Sequence, residues 1–209
     1  HLGTNVQVLS AKQVQALEGT HITALKPEQI TALKATQIKA LTPDQLSKFG
    51  DDQLSALKGK EHIAHLSAAQ INALSDTQIQ QLNVEGVAFI QVAQLKGIKA
   101  EHLKNLSETQ VEKLTANQLK ALSTTQIAQI EDTDFSKISG DKLKFLSSAQ
   151  IGALTDDQVK AIADANLAQL SSMQIKGLGE TQIKALTPTQ VSALTAPQVN
   201  QLSATQLNF

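Results

Sequence analysis

Several side chains in this 209-residue sequence have types and spacings that could do chemistry. Glu61, His62 and His65 place two imidazoles at i and i+3 with a carboxylate alongside, which makes them the candidate metal ligands of the chain. The acidic pairs Asp51/Asp52, Asp132/Asp134 and Asp156/Asp157 offer neighbouring carboxylates, but no glycine-containing calcium loop accompanies them. Gln recurs at one repeat position, a ladder of amides that could line a groove or stack. Lys recurs at another, from Lys39 and Lys96 to Lys176 and Lys184, a row that reads as a solvated face given the acids that balance it. Glycine-rich phosphate loops, G-x-S-x-G elbows and H-E-x-x-H motifs are all absent from the sequence, and so is cysteine. No catalytic residue set emerges, no cofactor is implied, and the chain reads as non-enzymatic.

The elements that must position these groups follow from a period of eight. Thr42 to Phe49 (TPDQLSKF), Ser67 to Leu74 (SAAQINAL), Thr115 to Leu122 (TANQLKAL) and Thr187 to Leu194 (TPTQVSAL) are copies of one unit, [ST]-x-x-Q-[IVL]-x-A-L. From Leu2 the register holds through 26 units, with one extra residue between Lys58 and Leu66. Position five is apolar throughout, and position eight is Leu, Ile or Phe in every complete unit. Gln holds position four in 18 of the 26, and His21, His62 and His102 stand in for it elsewhere.

Geometry selects the backbone. In a strand, positions five and eight would face opposite sides, and Ala, Leu, Gln and Lys are poor strand formers. In one continuous helix, eight residues turn the apolar stripe by about 80° per unit, so it would soon face backwards. One short helix per octad puts both positions on one face as i and i+3 neighbours. Ser or Thr followed three residues later by Gln is a capping box, which makes position one the N-cap. Pro27, Pro43 and Pro188 fall at position two, the first helical residue, where a missing N–H costs nothing. Acidic residues in the first turn favour the positive end of the helix dipole. A helix of about two turns is far below the roughly 12–15 residues needed for marginal stability in water, so the units must stack. The expected fold is therefore all-α: a solenoid of very short, about two-turn helices, one per octad, with the small Ala at position seven permitting close approach.

Without a linker or hinge, residues 1–209 read as one elongated domain, expected to be a fragment of something longer or to meet another copy end to end. Two stretches depart from consensus. Asn83 to Ile98 has Gly86 in place of Gln and Phe89 in place of Ala; Glu131 to Leu146 has Asp134 and Lys142 in place of Gln, with Phe135 and Phe145. Phe89, Phe135 and Phe145 are the candidate binding surface. Eighteen Lys, no Arg and a net charge of −1 lack the electrostatic footprint of a nucleic-acid binder. The sequence has no apolar run long enough to insert in a bilayer, so neither nucleic acid nor membrane insertion is expected.

The tandem Ser/Thr-x-x-Gln-Ile/Val-x-Ala-Leu units resemble the "LTTAQIAAL"-type arrays of large secreted or surface-attached bacterial proteins, including RTX-type adhesins, across nearly the whole chain. The resemblance implies an exported or cell-surface spacer or stalk. Partners would be other copies of itself, or a protein or glycan on a host or neighbouring cell. The calcium-binding nonapeptide of RTX proteins is missing. Leu186 to Leu194 (LTPTQVSAL) is also similar to the first helix of TAL-effector repeats, but the 34-residue period and base-reading loop of that family are absent. A solenoid module that binds a protein, peptide or glycan is the alternative function.

Overall fold

A computed structural model describes residues 5–207. Among them are 24 α-helices of four to six residues and two 3₁₀ segments, Asn5–Val8 and Ile63–His65, and no strands. The chain is all-α, with one short helix or 3₁₀ turn in each octad. Backbone contacts divide it into two compact units, His1–Leu106 and Ser107–Phe209.

The local chemistry that starts and stops the helices recurs in most octads. Position one is extended, as at Thr42 (φ −73°, ψ 155°), and its hydroxyl accepts from the amide of Gln45 at 3.1 Å while Gln45 Oε1 accepts from the amide of Thr42 at 2.9 Å. Where position one carries no hydroxyl, as at Lys26 and Lys34, the Gln half of the box persists at 2.8 Å. At the other end the amide of position eight donates to the carbonyl of position five, a tight closing bond seen for Leu33 to Ile30 at 3.0 Å and Leu146 to Leu143 at 3.0 Å. The chain then leaves in an extended conformation, as at Leu41 (φ −56°, ψ 129°). These closures hold the helices to between one and two turns.

Within each unit a helix packs against the one three octads further on: Ala11–Gln15 against Ala35–Ala40, and Glu108–Lys113 against Asp132–Phe135. From Ile30 to Leu186 positions five and eight point into the seam and are buried, whereas Val191 and Val199, at position five nearer the C-terminus, are exposed. Burying such a side chain is worth about 1.5–3 kcal/mol, and no isolated octad can collect it, so the superhelix stabilises as neighbours stack. Close approach is visible at the small positions. A Cβ on Gly97, at position seven, would stand 2.7 Å from the Cβ of Ala68, and one on Gly152 would stand 2.6 Å from the carbonyl oxygen of Gly177.

Candidate functional site: the glutamine seam

The Gln ladder is the most regular polar feature of the molecule, and along most of it the amide works at both ends. Oε1 caps its own helix. Nε2 crosses the seam and donates to the carbonyls of positions eight and five, 28 and 31 residues back: Gln37 to Leu9 and Val6, Gln70 (one residue further because of the insertion) to Leu41 and Ile38, Gln158 to Ile130 and Ile127, Gln198 to Leu170 and Leu167. The position-eight carbonyl lies past the closing bond, where no local donor remains, and the position-five carbonyl takes the amide as a second donor beside the position-eight N–H. One Gln therefore caps the N-terminus of its own helix and the C-terminus of a helix four octads earlier. With packing at three octads and hydrogen bonding at four, a turn of the superhelix closes between three and four octads. The capping box alone accepts Glu as readily as Gln. The persistent choice of Gln is the one sequence signal that position four must also donate, and the cap by itself hides it.

The substitutes at position four show what the seam requires. His62, fully buried, accepts from the Lys58 amide through Nδ1 at 2.8 Å and places Nε2 3.0 Å from the Leu33 carbonyl oxygen. The imidazole thus reproduces both halves of the Gln function across the nine-residue octad. Burial holds its pKa below the ordinary 6.5, against an upward pull from the Leu33 hydrogen bond and Glu61; Lys58 and His65 also lower it. Lys142 sends Nζ to the Glu112 carbonyl, and Asn166 reaches the Ile138 carbonyl at 3.5 Å. At Gly86 the work moves to Asn83, whose Oδ1 accepts from the Gly86 amide at 2.9 Å and whose Nδ2 donates to the Ser55 carbonyl at 3.3 Å. His102 departs from the pattern. Both of its ring nitrogens are buried without a hydrogen-bond partner, while the Lys99 amide it would cap donates to Asn72 Oδ1 at 2.8 Å.

The candidate metal ligands do not converge. Both nitrogens of His62 are engaged with backbone, so it has no lone pair to offer beside Glu61 and His65. Among the described residues no group of three or more His, Asp or Glu is placed to hold a metal ion. The acidic pairs lie in first turns, Asp51/Asp52 in Asp51–Ser55 and Asp156/Asp157 in Asp156–Ala161. Asp134 takes position four, where burial and then the charges of Glu108, Glu131 and Asp132 push its pKa up. Within the Lys row, Lys144, Lys160 and Lys184 pair with Asp141, Asp157 and Glu180 of their own helices. The Lys144 and Lys184 bonds hold the carboxyls of Asp141 and Glu180 below their ordinary values.

The three phenylalanines separate. Phe135 stands at position five and is 1% exposed, so it belongs to the core and offers no binding surface, a correction that its position in the octad already carried. Phe89 and Phe145 both stand at position seven, 42% and 50% exposed, with Lys144 Nζ 5.9 Å from the Phe145 ring centroid. The irregular octads around Phe89 fit each other. A Cβ on Gly59 would stand 2.2 Å from the Phe89 ring, and one on Gly86 would stand 2.2 Å from Ile63 Cδ1. The insertion and the loss of Gln are thus two sides of one contact, in which the helix Val84–Val87 packs on Ile63–His65.

The family model of the ALTTAQ repeat matches residues 159–196. The chain is a helical repeat region. The matched stretch is long enough to contain one complete link of the seam, from Gln190 Nε2 to the carbonyls of Val159 and Ile162 at 2.9 and 2.8 Å. A comparison with curated proteins finds no match. Among the described residues no helix is long and apolar enough to cross a membrane.

Proposed function

We propose that this repeat region is a non-catalytic spacer or stalk within a secreted or surface-attached bacterial adhesin. The observation that carries the reading is the seam: in most described octads the position-four side chain is spent on the chain's own helix ends, with the link 31 and 28 residues back recurring from Gln45 to Val14 and Leu17 and from Gln182 to Ile151 and Leu154. Such a chain gains length by adding octads, because every new unit brings its own cap donor and acceptor. The exported, adhesin context is supported by the resemblance of the octad to arrays of that kind.

The test uses spin labels within the unit Ser107–Phe209, at exposed Thr133 and Ser192, with octads of the Thr187 to Leu194 type inserted after Leu170. A spacer lengthens by a constant increment each time four octads are added, with helicity per residue unchanged. Distances that stop growing would refute it. A binding module is the second reading, favoured by the exposure of Phe89 and Phe145. Glycan or protein capture that disappears in Phe89→Ala and Phe145→Ala, with the label distances intact, would put it first.

A further inference from the structure

We propose that the segment Lys58–Leu66 is an acid-sensitive joint: protonation of His62 breaks its bond to the Lys58 amide and opens the seam to Leu33, within the unit His1–Leu106 alone. This inference stands on the geometry of His62 and is independent of the spacer reading.

The two partners of the ring fix its state. The Lys58 amide can only donate, so Nδ1 must carry a lone pair; the Leu33 carbonyl can only accept, so Nε2 carries the proton. A second proton must go to Nδ1, where it would point at the Lys58 N–H 2.8 Å away. Donor would face donor, and the cap of the segment would be lost. At the Gln positions the same two bonds are made by an amide that does not titrate. The joint is therefore a property of the one octad that carries an extra residue and an imidazole across the seam.

The charges around the ring leave burial in control. Lys58, Glu61 and His65 lie on its own segment. The segment packs on Ala35–Ala40, which carries Lys39, and on Val84–Val87, which carries Glu85; Leu33 follows Pro27–Thr31, which carries Glu28. The sign follows. An imidazole whose folded pKa is depressed leaves stability unchanged above the unfolded value, and stability falls as the pH drops below about 6.5 because the open state takes the proton first. The unit Ser107–Phe209 contains no histidine. Its Asp134, with a raised pKa, acts in the opposite sense and gains stability on acidification.

Hydrogen exchange on the full chain at pH 7.5 and 5.5, corrected for the intrinsic pH dependence of exchange, tests the joint above the ordinary carboxylate range. Protection of peptides covering residues 30–41 and 58–66 is expected to fall about tenfold, the advantage an open imidazole gains one pH unit below 6.5. Peptides from 107–207 should keep theirs. Unchanged protection at 58–66, or an equal loss in both units, overturns the proposal. His62→Gln should abolish the pH response, and a response that survives it also overturns the proposal. Should that variant lose its helical circular dichroism at pH 7.5, nitrogen-detected imidazole NMR of the unaltered chain decides. The expected result is an Nε2–H tautomer at pH 7.5 whose protonation coincides with loss of Lys58 amide protection. A ring that protonates while that amide stays protected overturns the joint.

Discussion

Gln158 makes three hydrogen bonds with one amide, accepting from the Thr155 amide at 2.9 Å and donating to the carbonyls of Ile127 and Ile130 at 2.9 and 2.7 Å, at 1% exposure. Gln158→Ala leaves one donor and two carbonyls without that partner in a buried seam, so the unfolding free energy should drop by about 2–4 kcal/mol, read from urea midpoints. Gln158→Glu keeps the cap and loses the donors; it should be at least as damaging at pH 7, and a Glu variant as stable as the native chain would refute the two-ended role. His102 supplies the opposite case. A Gln there has the register to reach the Ile71 and Leu74 carbonyls, and His102→Gln should stabilise by about 1 kcal/mol by removing a buried orphan ring. A loss of stability would show that the ring has a role the seam does not explain. The cap half of these links was legible from Ser/Thr-x-x-Gln. The cross-seam half was not, because its partners lie 28 and 31 residues away and are backbone carbonyls, which leave no trace in residue type.

The short helix itself was readable because its start, its stop and its buried face all lie within eight letters. What a repeat letter tolerates depends on its neighbour three octads away, and two glycines illustrate the contrast. Gly50 caps Asp51–Ser55 at φ −80°, and a Cβ placed on it would meet nothing within 4 Å, so Gly50→Ser adds an N-cap hydroxyl and removes unfolded-state freedom. It should gain about 0.5–1 kcal/mol. Gly152 lies on Ser148–Gly152, where a Cβ would meet the Gly177 carbonyl oxygen at 2.6 Å, backbone that cannot swing aside. Gly152→Ala must part this helix from Ser172–Lys176 and should cost about 1–3 kcal/mol. Thermal melts of the two variants check both signs, and a Gly152→Ala chain as stable as the native one would mean the two helices do not approach as closely as described. The phenylalanines teach the same lesson: position in the octad sorts Phe135 into the core and Phe89 and Phe145 onto the surface, where aromaticity alone had grouped them.

At the scale of the whole molecule, the link between turns is a relation between octads and not between particular residues. The period of eight was plain in the sequence, but it fits a superhelix with any number of octads per turn. Only the bonds at 28 and 31 residues, against helix packing three octads on, fix the turn between three and four. This quasi-equivalence makes a deletion experiment decisive. Removing Thr187–Leu194 brings Gln198 to the place of Gln190, where the Val159 and Ile162 carbonyls await an identical amide. Helicity per residue should be unchanged, and stability should fall only by the share of one unit in a nearest-neighbour array. Removing only 187–190 shifts every later Gln by half an octad, away from the carbonyls of positions five and eight, and leaves Val191 without its cap. The helices beyond it, Ala196–Val199 and Ala204–Leu207, should then unravel, with ellipticity at 222 nm falling by their share. The shorter deletion must therefore do more harm than the longer one. If the two proved equally damaging, the octads would not be interchangeable, and the seam would owe its strength to specific residue pairs.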